Sequence, residues 1–189
     1  MRTILAAALA CVVTTAVLAE QSALPTPVKF TAFAVDTSTM TTRAQTSTVD
    51  IVINNWSPDA DRDRLLKVFR DKGQDALLSE LQKLPKVGYI TTPGSLRYDL
   101  HFARQRPEPE GGRMIFLMTD RYIGSWEARN QPRTIDYPFM LIQLHVDKSG
   151  NGEGKASIYT KITETKDGTI ELENFANQPV ALNQVKMVR

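Results

Sequence analysis

The chain has 189 residues, with 23 basic and 21 acidic side chains, a formal net charge of +2 and a single cysteine. That length suits one domain with a core of useful size, and one cysteine excludes a disulfide framework. The charges are interspersed with no lysine or arginine run, which argues against nucleic-acid or anionic-membrane partners.

The N-terminus reads as a secretory signal. Arg2 precedes the uncharged run TILAAALACVVTTAVLA, and Val17 and Ala19 supply the small residues that a cleavage site before Glu20 requires. The pattern predicts a signal peptide over 1–19 and a mature protein that is exported, periplasmic or secreted. An uncleaved anchor would need about 20 apolar residues, and this run is shorter and rich in Ala and Thr. A lipid-modified Cys11 is disfavoured because Ala8 stands where the usual lipoprotein signal has Leu. Cleavage removes the only cysteine, so no thiol chemistry and no stable membrane insertion are expected of the mature chain.

The remainder predicts an extended tail over 20–27, then a single β-rich domain over 28–189. VKFTAFAVD (28–36) is rich in β-branched and aromatic residues and reads as a strand, followed by a polar connection and a second strand, VDIVINNW (49–56). In SPDADRDRLLKVFRDKG, Ser57 is placed to cap a helix, Pro58 suits its first turn, Asp59 and Asp61 favour its positive end, and Gly73 ends it. QDALLSELQKL (74–84) predicts a second helix stopped by Pro85. The pair, at about 57–84, is expected to lie on the sheet through Leu66, Phe69, Leu77 and Leu81.

Beyond Pro85 the pattern is strands and turns. SLRYDLHFAR places Leu96, Tyr98, Leu100 and Phe102 on one face; RMIFLM is apolar on both faces and so central. YPFMLIQLHVD directs Met140, Ile142, Leu144 and Val146 one way, KASIYTKITE adds Ile158 and Ile162, and TIELENF adds Ile170 and Leu172. With PEPEGG, DKSGNGEG and KDG as turns, the fold class is mainly β (α+β): a curved antiparallel sheet or barrel-like meander with a two-helix insertion after the second strand.

The motifs that suggest chemistry have plainer readings. DKSGNGEGKASI begins like a calcium loop at Asp147, Ser149, Asn151 and Gly152, but Ile158 stands where the closing bidentate Glu belongs. His101 and His145 fall beside Asp99 and Asp147 without the close spacing of a zinc site. There is no nucleophile elbow and no phosphate-binding glycine loop, and acids such as Asp99, Glu127 and Asp136 form no required pair. No cofactor and no metal are expected.

TDRYIGSWEARNQPRTIDYPF (119–139) is the remaining candidate. It concentrates Arg121, Trp126, Glu127, Arg129, Arg133, Asp136 and Tyr137, which fit two accounts: an ordered loop anchored by ion pairs and an inserted tryptophan, or a binding surface. Together with GQDALLSELQKLPKVGYITTPGSLRYDLHFAR and DKSGNGEGKASIYTKI, this stretch resembles secreted bacterial proteins that carry no assigned function. The resemblance runs from about residue 65 onward and implies a common fold and export, with no activity to carry over. The expected function is binding of a protein partner or a small apolar ligand by a non-enzymatic domain. A hydrolase- or lyase-like enzyme, with Arg, Asp, Glu and His on outer strand faces and the 119–139 loop, and a structural envelope protein are the alternatives.

Overall fold

A computed structural model describes residues 23–37, 45–95, 97–108, 111–121, 132–175 and 178–188. The strands are β1 Val28–Asp36, β2 Gln45–Ile53, β3 Gly88–Thr91, β4 Tyr98–Leu100, β5 Phe102–Pro107, β6 Arg113–Asp120, β7 Phe139–Val146, β8 Asn151–Glu164, β9 Ile170–Asn174 and β10 Val180–Val188. Helices α1 Asp59–Lys72 and α2 Gln74–Leu81 lie between β2 and β3. The strands pair antiparallel in the order β4-β3-β2-β1-β10-β8-β7-β6-β5, and β9 pairs β8 outside this path.

The two ends of that order, β4 and β5, are consecutive in the chain and separated only by His101. One segment therefore pairs with β3 in its first half and with β6 in its second, which nearly closes the sheet into a barrel. The change of partner bends the chain at His101. Leu100 consequently packs inside the barrel while Phe102 packs on its outer face, where unbroken alternation would have placed them together. The Nδ1–H of His101 donates to Leu84 O at 3.0 Å and fixes the corner.

The core has two layers, because β6 and β7 carry apolar side chains on both faces and Phe102, at the start of β5, extends the outer one. Phe30, Ile51, Ile53, Leu100, Ile115, Leu117, Ile142, Leu144, Leu182 and Val185 fill the barrel. On the outside, Leu65, Phe69, Leu77 and Leu81 of the helices pack on Phe102, Met118, Phe139, Leu141 and Ile162. Leu66, expected in this contact, is only half-buried. Short helices depend on such burial. Gly73 lies between the helices with φ 78, and its N–H closes α1 on Phe69 O at 2.7 Å.

Several local expectations give way. Ser57 does not cap α1; its Oγ accepts the Ala103 amide at 3.0 Å and its own N–H donates to Ala103 O at 2.8 Å, so it serves the side of β5 instead. β2 starts at Gln45, four residues early, because Gln45–Thr48 follow the register of β1 despite their polarity. Strand β10 escapes a reading by alternation: its register on β8 shifts between Leu182 and Val185, and Gln184 has φ 52. β8 also shifts register, between its pairings with Phe139 and Leu141. Beyond that shift its outer half, with β9, lies against the helical pair. Ile162 therefore belongs to the outer cluster, and Ile170 and Leu172 are exposed.

Candidate functional site

The outer half of β8 with β9, helix α1 and the outer face of β5–β6–β7 enclose a groove of about 560 Å³, within the range of small-molecule sites. Its floor is built by alternation. Phe102, Arg104 and Arg106 of β5 stand opposite Met118, Phe116 and Met114 of β6, each pair directly in register. Leu65, Leu66 and Phe69 of α1 form one wall, and Ile170 and Leu172 of β9 form the other.

Leu172 is 53% exposed and Ile170 36% exposed. Leu172 is paired with Ile162, whose side chain is buried in the outer cluster, so both leucine and isoleucine lie on the groove side of the hairpin while Glu171 and Glu173 turn the other way. The hairpin is held to the helices from within: Ile162 N donates to Gln74 Oε1 at 2.8 Å, and Arg70 Nε lies 3.9 Å from Glu164 Oε1.

Three arginines line the groove. Arg62 Nη2 lies 2.7 Å from Asp63 Oδ1. Arg104 Nη1 is buried and lies 2.5 Å from Asp59 Oδ1, an ion pair at the edge of the groove. Arg106 is exposed and has no ion pair among the described residues.

The residues singled out from the 119–139 stretch behave differently. Trp126, Glu127 and Arg129 lie outside the described residues. Arg133 belongs to the 3-10 turn Pro132–Asp136. Arg121 is buried: its Nε donates to Tyr137 O at 3.0 Å, its Nη2 donates to Thr134 O at 2.8 Å, and its guanidinium stacks 4.4 Å from the Tyr159 ring centroid. Asp136 contributes its carbonyl, which accepts from Gln74 Nε2 at 3.1 Å. Tyr137 donates to Glu173 Oε1 at 2.5 Å and packs edge-on against Phe175. This hydrogen bond to a carboxylate pushes the Tyr137 hydroxyl pKa up. Arg121, Asp136 and Tyr137 are thus brought together as the fastening between the turn, α2 and the β8–β9 hairpin.

The groups weighed for catalysis do not converge. Asp99 pairs with Lys86 at 2.5 Å, and His145 donates through Nδ1 to Glu108 at 3.0 Å while its Nε2 accepts from Gln143. Asp147 accepts the backbone amides of Ser149 and Asn151 at 2.7 and 3.0 Å, as a hairpin turn requires, with Gly150 at φ 81. Among the described residues no group of three or more His, Cys, Asp or Glu is placed to hold a metal ion, and no helix is long and apolar enough to cross a membrane.

A second cavity, about 410 Å³, opens at the barrel mouth over Ala34, Val49, Ile90, Met140 and Leu182, with Asp36, Thr46 and Tyr98 at its rim. Its floor is the upper end of the barrel core. The groove differs in presenting two large apolar side chains, Leu172 and Ile170, that stay substantially exposed. Comparison with protein-family models, curated proteins and solved structures finds no match.

Proposed function

We propose that this is an exported binding protein that takes a small apolar ligand in the outer groove. Export rests on Arg2, the apolar run and the small residues Val17 and Ala19. Binding rests on one observation above the others: Leu172 and Ile170 are exposed on the concave side of a hairpin, facing a floor of Phe102, Phe116 and Met118. Surface apolar residues scattered singly need no explanation, but a walled apolar concavity of this volume is what ligand sites present. Covering Leu172 and Ile170 with an apolar ligand recovers about 25 cal/mol for each Å² removed from water.

The test is titration with N-phenyl-1-naphthylamine, a neutral apolar fluorophore. Saturable fluorescence is expected with the wild type. Leu172→Asp, at an exposed position, should weaken it at least tenfold with the melting temperature unchanged. No saturable signal, or equal signals from the two proteins, would defeat the reading.

A further inference from the structure

We infer that the ligand of the groove is a single-chain amphiphile whose anionic head, a carboxylate or an equivalent oxyanion, lies against Arg104 and Arg106. The inference rests on the groove being the ligand site and adds the chemistry of what fills it. The floor is graded along β5. Phe102 is buried and apolar, Arg104 is half-buried, and Arg106 is exposed, all on one face by the period of two. Phe102 and Arg106 are four strand rises apart, about 13 Å, which is the reach of a medium-length alkyl chain with its head at one end.

The acids at that end are already engaged. Asp59 pairs with Arg104 through Nη1, and Asp63 is taken by Arg62. Glu108, two residues beyond Arg106, is held by His145 at 3.0 Å, and Arg106 keeps no ion pair among the described residues. Laying a wholly neutral chain over these groups would remove water from a guanidinium and return nothing. An oxyanion supplies acceptors to both arginines in the planar geometry that guanidinium favours. Polarity also orients the ligand, with its tail towards Phe102 and Met118 and its head towards Arg106.

The experiment compares 11-(dansylamino)undecanoate with its primary amide, which differ only in the charge of the head. Wild-type protein should bind the carboxylate on the order of tenfold more tightly, as expected for a hydrogen bond to a charged group. Arg106→Gln should bring that ratio close to one by weakening the carboxylate, with the amide bound no less tightly than by the wild type and the melting temperature unchanged. Equal affinity of wild type for the two probes, or a ratio that survives Arg106→Gln, would overturn the anionic head and leave the apolar site standing. Failure of every probe, the naphthylamine included, would overturn both.

Discussion

The backbone amide of Ile162 donates to Oε1 of Gln74 at 2.8 Å, across 88 residues of sequence, while Nε2 of the same side chain donates to Asp136 O at 3.1 Å. One amide thereby joins the start of α2, the outer half of β8 and the turn Pro132–Asp136. Gln74→Ala leaves the Ile162 N–H without its acceptor and should cost about 1–3 kcal/mol in denaturant unfolding. Gln74→Glu keeps the acceptor, loses the donor, and should fall between the two. A Gln74→Ala protein as stable as the wild type would show that the bridge holds nothing.

The outer core should matter as much as the barrel interior. Leu81 is fully buried between α2 and the outer sheet face, so Leu81→Ala should cost about 2–5 kcal/mol. A loss below about 1 kcal/mol would mean that the helices lie on the barrel without supporting it.

Arg121 should behave as a structural residue rather than a ligand contact. Its removal takes the guanidinium donor from the Tyr137 carbonyl and leaves the Thr134 carbonyl with the Tyr137 N–H alone, so Arg121→Ala should lower stability by about 2 kcal/mol. Arg121→Lys should not restore it, because an ammonium cannot span two carbonyls and lie flat on Tyr159. Full rescue by lysine, seen in thermal melts, would contradict this geometry.

Tyr137 provides a signed pH dependence. Its hydrogen bond to Glu173, with partial burial adding to it, raises the folded pKa above that of the unfolded chain. The stabilisation is therefore complete below the ordinary tyrosine pKa of about 10 and is lost as pH climbs through the folded value. Tyr137→Phe keeps the ring on Phe175 and removes the hydroxyl. The melting difference between wild type and Tyr137→Phe should be constant near neutrality and shrink above about pH 10. A difference that grows with alkalinity would reverse the sign and refute the assignment.

Export predicts a processed N-terminus. Sequencing of protein recovered from outside the cytoplasm should begin at Glu20, and a chain beginning at Met1 would remove the basis for a secreted binder.

Much of the fold was legible because local pattern and tertiary demand agree. β1 keeps its bounds, 28–36, and α1 runs between the acids and the glycine that mark its ends. The misreadings occur where geometry breaks the period. Leu100 and Phe102 separate because the chain changes partner at His101, and β10 is hidden because Gln184 interrupts its alternation. The groove carried no signal in sequence. Arg62, Arg106 and Leu172 are far apart in the chain, and Ile170 and Leu172 read as ordinary core alternation. Only the register of β9 on β8 places them on a wall.

The corner at His101 also bears on self-association. A sheet that ended at β4 and β5 would offer two rows of unpaired amides and carbonyls to a neighbouring molecule. Here Thr119 Oγ1 donates to the Asp99 carbonyl at 2.8 Å, and Ser57 satisfies both the amide and the carbonyl of Ala103. The strand termini that would template aggregation are thus blunted by side chains and by chain continuity. β9 keeps an open edge, but it is five residues long and carries Glu171 and Glu173. A short, acidic edge repels its own copy, so the wall that presents apolar side chains to a ligand is poorly suited to seeding a cross-molecular ladder.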